Sequence, residues 1–398
     1  MITLADCTVE QLAVLVREYL MAGHLIDRAG MPHVMAALGE RDFGAVAIEE
    51  WMGASPIYTP RLQRALGFRD DSVENIFKGM QFDIGAPHQF LDFRYRITDH
   101  DHGEFWLDHC GALDDVEPMG ESFVHTMCHD IEDPTFDATA IATNPRAQVR
   151  PIHRPPRAPA DRSPVCHWTV TIADEHEPVG VPPESEAIAS THAATVELSA
   201  IDPSEPGQHD YAGPLLADLR FEEWSRSALV RIAEEICLQG HLLSLSFLAA
   251  LERRMDQDIA FEFLRRQFTG VAGVVAERLR RALDLDLEAV LALHPAFLPR
   301  QYVAFAVDDR VVRIGDCLAI ADGGWIATID ADHLGPLDAI VRAVDARHRC
   351  VWTADGIEVV TDASAAPEAA EVGLAKISTG AAFEFVDRGT PVAVRGHA

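Results

Sequence analysis

Positive charge is scarce in this chain. Its 398 residues carry 33 Lys and Arg against 63 Asp and Glu, a formal net charge of −30. No basic surplus is left to neutralise phosphates, which argues against nucleic acid and anionic membrane as partners. Long apolar runs are missing too, none approaching the ~20 residues that span a bilayer. The opening MITLADCTVEQLAVL has no basic n-region and no signal-type cleavage pattern, so a cytoplasmic location is expected. Seven cysteines (7, 110, 128, 166, 237, 317 and 350) form no CxxC pair and are odd in number. That fits reduced thiols better than a disulfide framework. There is also no Walker loop, no GxGxxG after a strand, no GxSxG elbow and no HExxH, so nucleotide-dependent chemistry and the common serine hydrolases recede.

What is present is 48% hydrophobic, enough for a sizeable core, and it repeats itself. REYLMAGHLIDRA (17–29) aligns with EEICLQGHLLSLS (234–246), and RLQRALGF (61–68) aligns with RLRRALDL (278–285) in the same register. The hairpin pattern 90–110 matches 302–317, each ending in Cys, and VCHWTV (165–170) matches RCVWTA (349–354). The expected fold is α+β: an internal duplication of a helix, hairpin, helix and strand unit with a pseudo-twofold axis and a degenerate second copy. Residues 1–175 form the first unit and 216–398 its repeat. Residues 176–215, rich in Pro, Ser and acids, read as a surface linker with a strand near Thr195 to Leu198. Asp355 and Gly356 mark a further hairpin before an Ala-rich tail.

Chemistry concentrates in the first half. In ESFVHTMCHDIED (121–133) a single helix would place His125, His129 and Glu132 on one face, where core residues normally sit. Aligning Gly120 with Gly335 sets these against Ile340, Val344 and Arg347, so the face is expected to be buried. Asp133, before Pro134, is expected to end that helix. Further His and carboxylate residues flank the segment, including His109, Asp114, Glu117, His153 and His167. An imidazole and carboxylate set without obligatory thiolate suits iron, manganese or catalytic zinc. His109, Glu117, His129 and Glu132 are the first candidate ligands, His125 and His153 the next. More than four candidates point to two ions bridged by a carboxylate, with zinc as the alternative. Arg150 and Arg154 either clamp an anionic substrate or balance acidic neighbours.

Other residues read as structural. His24 and His241 occupy matching positions after Gly, and Glu18 matches Glu235. Glu49 and Glu50, opposite Arg266 and Gln267, read as a solvated helix face, with a pocket carboxylate as the alternative. DHDHG (99–103) reads as a hairpin turn.

The Cys-x-Trp strand resembles the small α+β domains of the vinyl-reductase and aminothiazoline-carboxylate hydrolase type, over residues 85–172. HCGALDDVEPMGE and MCHDIEDPTF resemble the non-heme diiron monooxygenase family typified by a terpenoid-CoA hydroxylase of platensimycin biosynthesis. That resemblance implies two iron ions, O2, an external electron donor and a bulky hydrophobic acid or acyl-CoA as substrate. Three readings compete: a diiron monooxygenase; a hydrolase using zinc-bound water or Cys128; and a non-enzymatic protein that binds a small ligand. Association into a homo-oligomer is left open.

Overall fold

Apolar residues recurring every three to four positions commit Val9–Leu38 (α1) and Glu40–Ala65 (α2) to helices in the computed structural model. The structure describes residues 1–377 and the backbone of 393–395. Thr8 caps α1 reciprocally: its hydroxyl accepts from the Gln11 backbone N–H, and the Gln11 side chain accepts from the Thr8 N–H at 2.9 Å. Gly39, at φ 83°, provides the left-handed break that turns α1 directly into α2. Helix α3 (Val73–Met80) leads to an antiparallel hairpin of β1 (Leu91–Ile97) and β2 (His102–Cys110). The DHDHG run forms its turn, with Asp99 accepting from the Asp101 N–H at 2.9 Å.

The expected single helix over 121–133 is in three parts. After α4 (Gly111–Val116) come α5 (Glu121–His125), a π-helical turn over Thr126–Ile131, and α6 (Glu132–Ile141). Pro134 falls in the first turn of α6, where no N–H is needed, so it starts that helix instead of ending one. Strands β3 (Ala147–His153) and β4 (Cys166–Ile172) complete the first sheet in the order β3-β4-β2-β1. Phe136 of α6 meets Phe105 and Trp168 on its inner face.

The segment read as a linker is pinned to the body. It carries α7 (Pro183–Ala189) and α8 (His192–Thr195), and residues 196–201 pair with no strand. Pro56 inside α2 has no N–H to offer the Met52 carbonyl, and that carbonyl accepts from the Ser185 hydroxyl at 2.8 Å. Arg61 donates to the carbonyls of Ala194 and Val196, and Tyr211 is buried against Gln81.

The second half runs α9 (Arg226–Glu252), α10 (Gln257–Leu283), α11 (Leu287–Leu293), β5 (Phe305–Asp308), β6 (Val311–Ile314), α12 (Leu318–Ala321), α13 (Gly335–Val344), β7 (His348–Thr353), β8 (Gly356–Thr361) and α14 (Ala370–Ala375). A short β9 (Ala393–Arg395) lies parallel to β1. The rest of the Ala-rich tail lies outside the described residues. The molecule is α+β: long helices plus two small antiparallel sheets.

The second sheet has four strands in the order β5-β6-β8-β7, while the first has β3-β4-β2-β1 with β9 beside β1. Asp137 accepts from the N–H of Val149, twelve residues on, and Asp338 accepts from Cys350 at the same spacing. Helix α13 thus answers α6, and β7 is an edge strand like β3. This corrects two sequence pairings. VCHWTV lies on the inner strand β4, whose place β8 takes, and 121–131 has no counterpart in α13. The His125, His129 and Glu132 comparison with Ile340, Val344 and Arg347 therefore does not hold.

Where the long helices cross, positions matched by the sequence repeat exchange charges. Arg61 of α2 pairs with Glu235 of α9 at 3.1 Å, and Arg278 of α10 pairs with Glu18 of α1 at 2.7 Å. All four side chains are buried or nearly so. Gly53 lets α2 meet α9 closely, since a Cβ there would lie 2.0 Å from the Ser246 hydroxyl. Removing one partner strands a buried charge, so Glu235→Ala should cost about 3 kcal/mol or more in urea denaturation. A loss below ~1 kcal/mol would show that the pair does not hold the helices.

Candidate functional site

The six proposed ligands are dispersed by the π turn and the sheet. The wider π turn rotates the residues C-terminal to it, so His125, His129 and Glu132 do not share a face. His125 and His129 stack at 4.2 Å on the outer side of the segment, with His125 more than half exposed. His129 Nε2 donates to the Pro155 carbonyl at 2.8 Å. Glu132 instead turns inward, half-buried with its Oε2 enclosed. His109, at the end of β2, lies 3.7 Å from Asp114, and Glu117 lies 3.6 Å from Arg157. His153 sits opposite His167 across a register shift in β3 and β4, with ring centroids 6.1 Å apart. Among the described residues, no three His, Cys, Asp or Glu side chains converge on one metal position. As they stand, these residues do not fit a two-iron centre.

The two arginines face acidic neighbours. Arg150 is half exposed and pairs with Asp137 at 2.8 Å. Arg154 pairs with Asp133 and lies over the Trp168 ring. Cys128 is buried, and burial with the nearby Glu132 carboxyl raises its thiol far above the range of a nucleophile.

A different set of polar groups converges in the first half. A cavity of about 120 Å³ lies between α1, α2, the end of α3, the first sheet and the π turn. Helix α1 lines it with His24, Asp27 and Arg28, of which the first two stand at i and i+3. Trp51 and Ser55 come from α2, Asp83 from the loop after α3, and Glu132 from the start of α6. Phe43, Met80, Leu91, Phe93, Leu107 and Phe136 make the rest of the wall apolar. Glu50 is fully buried beside this set, next to Asp27 and Gln267.

Burial dominates the electrostatics. It pushes Glu132 up to about 8, with Arg154 opposing, and Asp83 up to about 6, with the Gly85 N–H and the Tyr58 hydroxyl opposing. Asp27 is raised by burial against the pull of Arg28, and Glu50 is raised well above the carboxylate range by burial and Asp27. His24 is lowered by burial and then by Arg28, so it is a neutral imidazole. The site thus holds carboxyls whose acid forms burial favours, Glu132 among them, beside a neutral base, in reach of an apolar space.

Many of these groups lack partners. Both ring nitrogens of His24, Oδ1 of Asp27, Oε2 of Glu132 and both oxygens of Glu50 are buried without a hydrogen bond. Such a group costs roughly 1–3 kcal/mol. Two matched residues of the second half are satisfied: His241 Nε2 donates to the Leu298 carbonyl at 2.9 Å, and Ser244, opposite Asp27, donates to the His241 carbonyl at 2.8 Å. Leu245 stands opposite Arg28.

The reading of Glu50 as solvated is therefore corrected. Glu49 alone faces outward, paired with Arg253 and Arg254. The sequence signal for this site was the contrast at matched positions, Asp27 against Ser244, Arg28 against Leu245 and Glu50 against Gln267. The shared His24 and His241 gave no such contrast.

Glu132 makes stability depend on pH. Its acid form is favoured on folding, so between its unfolded value near 4.5 and about 8 the folded chain holds the extra proton. Stability from this group is complete below 4.5 and falls as pH rises, by at most about 1.4 kcal/mol per pH unit. Glu132→Gln should match the wild type at pH 4.5 and be more stable at pH 8 in urea denaturation. Equal pH slopes for both proteins would refute the assignment. No protein-family model, curated protein or solved structure matches this chain, so the site is read from its own geometry.

Proposed function

We propose that the protein binds a small, largely apolar molecule in the cavity bounded by His24, Asp27, Asp83 and Glu132, and that the first half is the binding unit while the second is its scaffold. The observation that carries this is His24, buried with two unpartnered nitrogens where its counterpart His241 has a carbonyl. A fold maintained without a ligand gains nothing from leaving that imidazole unsatisfied. The neutral His24 and the acid form of Glu132 are also suited to moving a proton to or from a bound molecule.

We infer further that the halves arose by duplication about a pseudo-twofold axis. The exchanged pairs Arg61 with Glu235 and Arg278 with Glu18, and the repeated strand order, support this. One copy then kept a packed core while the other opened a polar cavity.

Paired substitutions test the assignment. His24→Phe removes unsatisfied nitrogens and should leave stability unchanged or slightly raised. His241→Phe strands the Leu298 carbonyl and should cost about 1–3 kcal/mol. Indole, a neutral aromatic probe, should raise the wild-type melting temperature saturably with one site per chain by calorimetry, and Ala112→Phe, which fills the cavity, should abolish this. Indole binding unaffected by Ala112→Phe would sink the cavity reading.

A second reading, metal-dependent oxidation of a hydrophobic substrate, draws on the π turn at His125 and His129, since such turns recur at functional sites. It requires His109, Glu117 and His153 to move toward that turn. Iron retained after anaerobic loading with ferrous ion and desalting, and lost in His129→Ala, is the expected result. Retention equal in both proteins would rule this centre out.

A further inference from the structure

A second space adjoins the polar cavity. A cleft of about 310 Å³ shares Arg28, Phe43 and Met127 with it, and runs outward past Met31 and Met35 to Met119 and Ile377. Met119 and Ile377 are 52% and 75% exposed, so the outer end faces solvent. Four of the chain's nine methionines line this cleft. Unbranched thioether side chains adapt to varied apolar shapes without specifying one, as expected of a wall that receives a flexible aliphatic ligand.

Among the described residues, the polar groups lining these spaces lie at the inner end and at the junction. Arg28 lines both spaces, and its charge is met by Asp27 at 3.5 Å and Asp115 at 3.4 Å. Beyond it lie His24 and Asp27, both buried, and Glu132, half-buried with its Oε2 enclosed, each with an unpartnered polar atom. A charged head group would have to shed its water there without gaining an uncommitted counter-charge, which costs far more than desolvating a neutral group. A carbonyl or hydroxyl would instead accept from a protonated carboxyl or share a hydrogen with His24.

We propose that the ligand is an elongated, uncharged aliphatic molecule with one terminal carbonyl or hydroxyl, its tail in the methionine-lined cleft and its head against His24, Asp27 and Glu132. This rests on the cavity reading above and adds to it a length, a direction and a head-group class.

The test is calorimetric titration of the full chain at pH 7 with octan-1-ol, octan-2-one, octanoate, octylammonium and butan-1-ol. The two neutral eight-carbon probes should bind at one per chain. Octanoate, octylammonium and butan-1-ol should each bind at least about tenfold more weakly than octan-1-ol, a difference of ~1.4 kcal/mol or more. Met35→Trp, on the half-buried outer wall of the cleft and away from the cavity, should remove octan-1-ol binding while leaving indole binding in place. Met119→Trp, at the exposed outer end, makes the same test should Met35→Trp fail to fold. Octanoate or octylammonium binding as tightly as octan-1-ol would overturn the neutral head group, and butan-1-ol matching octan-1-ol would overturn the role of the cleft. In both cases indole binding abolished by Ala112→Phe leaves the cavity reading standing. If the eight-carbon probes and indole all fail to bind, the cavity reading itself falls.

Discussion

Two buried guanidinium–carboxylate pairs, exchanged between the halves, set how the long helices cross. Arg61 reaches from α2 to Glu235 on α9, and Arg278 reaches from α10 to Glu18 on α1. A buried charge is tolerated only with a well-placed partner, so each pair ties one helix to a particular point on another. Arg61 extends the constraint by holding the carbonyls of Ala194 and Val196, which docks the connecting segment. Apolar burial supplies most of the stabilisation, but it is not directional, and these pairs supply position.

With that frame in place, positions matched in the sequence are used differently in the two halves. The second closes around His241, Trp325 and Tyr302, where the imidazole has its carbonyl and its aromatic neighbours. The first leaves His24 beside Phe90 with no polar partner and puts Asp27, Asp83 and Glu132 around an open space. Unsatisfied buried groups reduce stability, and a protein can bear several of them only because the rest of its core is large. In this molecule the second half provides much of that core.

The π turn links fold to site. By widening the helix between α5 and α6 it sends Glu132 inward to the cavity and leaves His125 and His129 stacked at the outer face. It also sets Met127 at the junction of the cavity with the methionine-lined cleft. One local irregularity thereby defines an inner acid, an outer histidine pair and the passage between two spaces.

The α+β class, the long helices and the DHDHG turn were legible in the sequence, because they rest on local periodicity and turn chemistry. The concentration of His and carboxylate in residues 109–167 was legible too, but not its arrangement. Spacing along an ideal helix could not reveal a π turn, which lies against α2 and α4. Glu50 looked like one half of a solvated Glu-Glu pair, and only the crossing of α2 over α9 put Glu49 at the arginines and Glu50 in the interior. His24 looked structural because His241 matched it; whether a buried imidazole meets a carbonyl is decided by residues distant in sequence, such as Leu298. Local pattern determined which segments are helix or strand. Long-range packing alone decided which polar groups were left without partners, because a hydrogen bond needs a specific atom within about 3 Å, and sequence spacing does not carry that distance.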